Sequence, residues 1–294
     1  ANIQPLRPGE EKYAISFAVP MNAKGLKIMS RRSYEESASS SFDYPLSSRF
    51  DENDALVYCD DVKVPWERVF IYKDTDAARG QFQDTYAHYM QNYQAQIRLM
   101  VKMQFQIGIA RRMCEVIGTV GIPSVAEKLG HMAAQAAMVE GLVYGMESGG
   151  GMFNGYYVPD RNLMYTAQVL TQQLYPEFIT SMRELAGGGL IMLPSSAEDF
   201  TNPDLNRYIN ATQKSAIGTA EEKVKFMKLA WDSIGSEFAS RHTQYEMFYA
   251  GAQFVTRAHS FRTYDWERAA GLVDSILDKY SLDDVIGSGK IAAE

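Results

Sequence analysis

The sequence predicts an α+β fold, mainly α: a small β domain over residues 1–75 followed by an antiparallel helix bundle over 76–294. Two observations predict it. Apolar residues alternate with a period of two in the first 75 residues, and from about residue 80 the period changes to 3.6. The helical stripes that follow are bounded by caps and glycine runs, and they carry more apolar seam than one small bundle needs. Some helix faces are therefore expected to meet another subunit.

In the β region, Tyr13-Ala14-Ile15-Ser16-Phe17-Ala18-Val19 reads as a strand before Pro20, and Gly25-Leu26-Lys27-Ile28 as a second after a turn. Residues 31–41 are polar and Ser-rich and read as a long loop. Ala55 to Pro65 reads as a strand bulged at Asp60-Asp61, and Arg68 to Tyr72 as a further strand. Asp51-Glu52-Asn53-Asp54 reads as a turn, since a calcium loop needs more widely spaced oxygens and a Gly.

In the helical part, a first helix over about Thr85 to Val116 is apolar on more than one face, as a central element should be. The next carries Val125, Leu129, Met132, Ala136, Val139, Val143 and Met146 at alternating spacings of four and three. Burying those seven side chains is worth roughly 10 to 20 kcal/mol before chain entropy is subtracted. Pro123 starts this helix and Gly149-Gly150-Gly151 stops it. A third runs from an Asp160 cap through Leu163, Ala167, Leu170, Leu174, Phe178, Met182 and Leu185, with Pro176 inside, to Gly187. A fourth starts at the capping box Thr219-Ala220-Glu221-Glu222, carries Val224, Met227, Trp231, Ile234 and Phe238, and ends at Gly251. A last helix near Trp266 to Tyr280 is expected to pack through Leu272, Ile276 and Leu277.

Composition narrows the class. With 46% hydrophobic residues, 14 Phe, 18 Tyr and 3 Trp, the chain is too apolar and aromatic for a disordered tail. Two cysteines exclude a disulfide scaffold. A net charge of −7 repels phosphate backbones and anionic lipid, so neither nucleic acid nor a membrane surface is an expected partner. No apolar run approaches the roughly 20 residues that cross a bilayer, and Ala1-Asn2-Ile3-Gln4-Pro5 carries no signal pattern. A cytoplasmic location is expected. The absent initiator Met is expected of a trimmed chain or of part of a longer one.

Candidate chemistry is sparse. His88, His131, His242 and His259 are scattered, with none at ligand spacing from another His or a Cys, so no metal is expected. Cys59 and Cys114 read as buried free thiols rather than nucleophiles. Gly149 to Gly155 lacks a dinucleotide fingerprint, and Gly287-Ser288-Gly289-Lys290 lacks the earlier Gly and following Ser/Thr of a phosphate loop. Glu140 and Glu246 lie beside apolar seams, either as bases or as ordinary half-exposed helix residues. The segment Arg241 to Gln253 closes a helix with a cationic, aromatic turn and then small residues. It reads either as a C-cap or as a place where backbone amides approach an anionic group, with Arg241 on a pyrophosphate and Gln253 on a heterocycle edge.

Pro45-Leu46-Ser47-Ser48-Arg49-Phe50-Asp51-Glu52-Asn53-Asp54-Ala55, Leu193-Pro194-Ser195-Ser196-Ala197, and Gly235-Ser236-Glu237-Phe238 followed by Arg241-His242 and Tyr245-Glu246 resemble the 4-hydroxyphenylacetate 3-monooxygenase family. The resemblance runs from Tyr13 to about Gln253. It implies an acyl-CoA-dehydrogenase-like fold in which residues 1–75 belong to the middle β domain and 76–294 form the C-terminal bundle and oligomerisation domain, with the family's N-terminal domain lacking. That domain carries the family's Arg, Tyr and His for phenol and flavin, so no catalytic residue is assigned here. Ala250, Gly251, Ala252 and Gln253 are implied as FAD contacts, and Gln91 and Tyr93 as part of the helix lining the phenol pocket.

The implied activity is that of a two-component aromatic monooxygenase. A separate flavin reductase supplies FADH2, O2 reacts to a flavin C4a-hydroperoxide, and a phenol such as 4-hydroxyphenylacetate is hydroxylated ortho to its hydroxyl. A homotetramer is implied as well. Two rivals stand beside it. A 4-hydroxybutyryl-CoA dehydratase-like flavoenzyme needs a His and a Cys seven apart on the first bundle helix, and residues 86–110 hold no Cys. The chain can also be a non-catalytic assembly fragment of the oxygenase.

Overall fold

The computed structural model describes residues 6–286. Its N-terminal part holds β1 (Ile15–Phe17), β2 (Leu26–Ser30), α1 (Tyr34–Ser37), α2 (Ser47–Phe50), β3 (Ala55–Cys59) and β4 (Val69–Tyr72). Strands β1 and β4 pair antiparallel, as do β2 and β3, from Leu26 opposite Cys59 to Ser30 opposite Ala55. The expected bulge is not at Asp60-Asp61. Those residues turn the chain beyond β3, Asp61 at φ +53°, and the register irregularity lies instead between Ser16 and Phe17. Residues 31–41, expected as loop, contain α1, because the Ser33 hydroxyl accepts the Glu36 N–H and caps one turn.

The bundle contains α3 (Thr75–Asp84), α4 (Ala87–Ile117), α5 (Pro123–Ser148), the hairpin β5 (Gly151–Phe153) and β6 (Tyr156–Val158), α6 (Arg161–Ala186) and α7 (Pro203–Thr212). It continues with α8 (Ala220–Ile234), α9 (Glu237–Phe248), α10 (Gln253–Thr263), α11 (Trp266–Leu277) and α12 (Leu282–Ile286). The seam of α5 is inward: Leu129, Met132, Ala136, Val139, Val143 and Met146 are buried, and Val125 packs against the core. Asp160 caps α6 by accepting the Leu163 N–H at 2.7 Å. On α6, Leu174, Phe178 and Met182 join the main core with Leu99, Met103 and Met113 of α4 and Met227 and Ile234 of α8. Leu170, expected in that stripe, is exposed. The glycines after α5 do more than stop it. Asn154 and Gly155 both take left-handed φ, as a tight hairpin between two strands requires.

Two helical expectations fail. The helix expected from Thr219 to Gly251 is broken at Gly235 into α8 and α9, although its capping box forms as expected. A Cβ on Gly235 would collide with the Trp231 ring, and Ser236 starts a new helix by accepting the Ala239 N–H. The stripe of α11 does not pack: Leu272, Ile276 and Leu277 are exposed. Among the described residues, no helix is long and apolar enough to cross a membrane.

Loop 43–54 fastens the β region to α8 and α9. The fully buried Asp232 carboxylate accepts the N–H groups of Leu46 and Ser47, each at 2.8 Å, and the Ser47 hydroxyl. Lys228 pairs with Asp43 at 3.0 Å and donates to the Ser195 carbonyl.

Candidate functional site

The most constrained backbone near the expected small-residue segment is the turn between α9 and α10. Its centre is Gly251 at φ +112°, a conformation that favours a residue without a Cβ. Gln172 of α6 reaches this turn. Its amide nitrogen donates to the Met247 carbonyl at 2.9 Å and the Gly251 carbonyl at 2.6 Å, while its oxygen accepts from the Thr256 hydroxyl at 2.9 Å. Ala250, Gly251 and Ala252 thus form the corner, and Gln253 begins α10. No side chain caps that helix start, and space within 4 Å of where a Gly251 Cβ would stand is empty. The Gln253 side-chain oxygen accepts from Arg257 at 3.3 Å.

The inner face of α9 is ionic. Glu246 is buried and accepts from Arg98 at 2.8 Å and from Lys102 at 2.5 Å, both on α4. Lys102 also reaches Nδ1 of His242 at 3.1 Å. Burial, followed by the charges of Lys102, Arg241 and Arg98, pushes the His242 pKa down to about 3. Its ring is therefore neutral near pH 7 and serves as an acceptor for Lys102 rather than as an acid. Burial likewise lowers Lys102, against the pull of Glu246. The Arg98 guanidinium stacks over Tyr245, whose ring packs on Tyr249 with centroids 4.4 Å apart. Glu246 is thus an ion-pair anchor; Glu140 accepts from the Tyr144 hydroxyl at its own helix surface.

The outer face of α9 borders an open cleft of about 890 Å³ walled by Tyr34, Tyr245, Phe248 and Tyr249. The acidic turn forms one side of it. Arg241 binds Glu52 at 2.8 Å and Asp54 at 2.5 and 2.6 Å, and Arg31 binds Asp51 and Asp54. Chiefly the Arg241 hydrogen bond holds Asp54 well below the usual carboxylate range, and Arg241 is raised in turn. Arg241, expected as a pyrophosphate partner, is therefore committed within the chain: it clamps the loop. Among the described residues, no cluster of His, Cys, Asp or Glu could hold a metal ion.

Gln91 and Tyr93 lie on the first turns of α4. Tyr93 faces α5, donating to Glu147 at 2.5 Å; burial and that carboxylate push its pKa up to about 12. It thus lies on the α5 side, whereas the 250–253 turn is held by α6. The histidines are less scattered than expected. His88 of α4 and His259 of α10 have ring centroids 5.6 Å apart, both beside Tyr165, and burial lowers the pKa of each. Cys114 is buried as expected, but Cys59 is exposed because β3 presents both faces to solvent. Residues 287–290 lie outside the described residues. Gln172, Arg98 and Lys102 were missed. The legible hint was a basic pair at i and i+4 on the central helix, matching a Glu placed beside another seam.

Two family models match the chain in order: 4-hydroxyphenylacetate 3-hydroxylase N terminal over residues 1–71 and 4-hydroxyphenylacetate 3-hydroxylase C terminal over 78–278. The oxygenase component of 4-hydroxyphenylacetate 3-monooxygenase from Escherichia coli is 36% identical over 277 residues, covering 91% of this chain and 53% of that protein. The chain spans about half the length of the curated relatives it matches. An oxygenase component of the same enzyme, solved with FAD and 4-hydroxyphenylacetate, superposes with a TM-score of 0.86 at 32% identity, over 93% of this chain and 57% of that one. A 4-hydroxybutyryl-CoA dehydratase from N. maritimus superposes at 0.81 with 18% identity, over 95% of this chain and 56% of that one, a likeness of fold alone. The fold is α+β, mainly α, and acyl-CoA-dehydrogenase-like.

Proposed function

Because the chain belongs to the 4-hydroxyphenylacetate 3-hydroxylase family, we propose that it serves a flavin-dependent aromatic monooxygenase as oxygenase component, with FADH2 from a separate reductase, O2 and a phenol as its reactants. The phenol is hydroxylated ortho to its hydroxyl, with 4-hydroxyphenylacetate as the model substrate. The observation that carries this reading is the superposition of nearly the whole chain on an oxygenase holding FAD and that phenol.

Two features of the α9–α10 turn support that reading. The backbone at Gly251 is open to close approach, and the uncapped start of α10 offers amides and the positive end of a helix dipole to an anionic group. Ala250, Gly251, Ala252 and Gln253 would hold FAD there, Gln253 through a carboxamide that both donates and accepts. Reduced FAD, when bound, would supply the two electrons that activate O2, one oxygen atom of which passes to the ring while the other leaves as water. The chain's own part is to position and to exclude water. Gln91 and Tyr93 are assigned to the phenol side, where the Tyr93 hydroxyl keeps its proton and donates it in a hydrogen bond to the Glu147 carboxylate. The rings of His88, Tyr89, Tyr165 and His259 pack on one another between α4, α6 and α10.

We assign residues 1–75 to the β domain and 76–294 to the bundle, a division supported by the change of family model between residues 71 and 78. We assign a homotetramer, and the exposed apolar stripe of α11 supports contact between subunits; a cytoplasmic location is supported by the acidic charge and two free thiols. Anaerobic titration with FAD before and after dithionite reduction tests the proposal. Binding on reduction, and catechol formation when a reductase and 4-hydroxyphenylacetate are added, are expected. No binding in either redox state would refute it.

A further inference from the structure

We propose that Gln172 is the positioning residue of the flavin turn: a single buried carboxamide on α6 that sets the distance between the end of α9 and the start of α10. The inference rests on the reading that residues 250–253 contact FAD. Gln172 is 1% exposed, and an amide buried that deeply costs free energy unless its hydrogen bonds are made. Here both ends are used. The two amide protons match the two carbonyls, Met247 in the last turn of α9 and Gly251 at the corner. A carbonyl in the last turn of a helix has no partner within that helix, so Gln172 satisfies an orphan of α9 and the linker together.

The other end reaches α10. The amide oxygen accepts from Thr256, which is fully buried and shares its hydroxyl between Gln172 and the Gln253 carbonyl at 3.0 Å. Gln172 therefore touches the helix end, the corner and, through Thr256, Gln253 itself. The amide orientation follows from the partners, because the reverse would aim oxygen at two carbonyls. Pro176, one turn on, has no N–H for the Gln172 backbone carbonyl, so α6 lacks that one helix bond at the residue whose side chain holds the turn. Gln168, one turn earlier and as deeply buried, has neither side-chain polar atom partnered. Burial of a glutamine on this helix does not by itself produce the three bonds.

The full chain is titrated anaerobically with dithionite-reduced FAD, alongside amide exchange at residues 250–254 and circular dichroism. Gln172→Met keeps the volume and removes all three bonds; about a tenfold or larger rise in Kd is expected, with faster exchange confined to the turn. Gln172→Glu should bind within about threefold of the parent near pH 6, where a protonated carboxyl still donates, and at least about tenfold more weakly near pH 8. A merely structural role would not produce that pH split in folded protein. Should Gln172→Met fail to fold, Thr256→Val replaces it, with an expected rise of about threefold. A Kd within twofold of the parent in these variants, the turn exchanging faster, overturns the inference. Gln253→Ala separates the two layers. If it weakens binding and the Gln172 variants do not, the flavin turn stands and the positioning role falls. If none of them changes the Kd, or the parent does not bind reduced FAD, both fall.

Discussion

Replacing Glu246 by Gln should destabilise the bundle far more than removing either charge's share of a surface pair would. The Glu246 side chain is 5% exposed, Lys102 16% and Arg98 26%. Two cations face one carboxylate, so deleting the carboxylate leaves both uncompensated. Removing one partner of a buried ion pair costs about 3–5 kcal/mol; partial hydration of Arg98 places this site near the lower end, at about 3 kcal/mol. For a domain of this size that lowers the thermal midpoint by roughly 6–12 °C. Lys102→Met is the informative partner. It removes the surplus cation, whose charged form burial already disfavours, and leaves the Arg98–Glu246 pair intact. The Lys102 bonds to Glu246 and to His242 Nδ1 are lost, but Glu246 keeps Arg98 and no charge is left unpaired, so the cost is about 1–2 kcal/mol. Urea unfolding followed by circular dichroism, with equal slopes for all variants, measures both. Equal losses from the two substitutions, or a larger loss from Lys102→Met, would refute the view that charge imbalance decides the energetics here.

Asp232→Ala strands the half-buried Leu46 N–H and the buried Ser47 N–H and hydroxyl of loop 43–54, and should cost about 3–5 kcal/mol, against about 1 for Ser47→Ala; thermal midpoints compare them. Stability should fall between pH 6.5 and 4.5. His242, near 3 in the fold, is neutral there while the unfolded imidazole near 6.5 takes up protons, so the unfolded state gains as pH drops. His242 accounts for up to about 2 kcal/mol between pH 6.5 and 5, and His88 and His259 act in the same direction. The lowered carboxylates of Asp43, Asp51 and Asp54 lose their contribution only below about pH 4. His242→Asn should flatten the slope of denaturation midpoint against pH, and an unchanged slope would assign it elsewhere. Under the proposed function, Gln253→Ala should weaken reduced-flavin binding and raise the hydrogen peroxide released per flavin oxidised, measured by stopped-flow; unchanged coupling argues against Gln253 as a contact.

Helix ends were legible wherever one residue determines them. Pro123, Asp160, Gly187 and the Thr219–Glu222 box all act within four residues of themselves, which is the range that a local pattern reports. The break at Gly235 was not, because the three-four seam continues through it to Phe238, while the Trp231 ring occupies the place of a Gly235 Cβ and Ser236 caps a new helix. The outward turn of α11 was equally invisible: an amphipathic stripe announces that it needs a partner, not whether the partner is its own chain. The corner at 250–252 could be read from its small residues, whereas its support could not. Gln172 is 79 residues away from Gly251, and a glutamine in a helix carries no sign of being buried. The Arg98–Glu246 pair joins residues 148 apart, beyond any spacing rule.

The glycine break also gives the chain an optical gauge. Trp66 and Trp266 stand in water, 69% and 52% exposed. Trp231 lies half-buried against Gly235 in the smaller cleft that Tyr44 and Ser47 also wall. Blue-shifted indole emission from this protein therefore originates at Trp231, and lifting the 43–54 segment off α8 will wet that ring and redden the spectrum. Whether the β region is seated on the bundle can be followed in real time with no label attached.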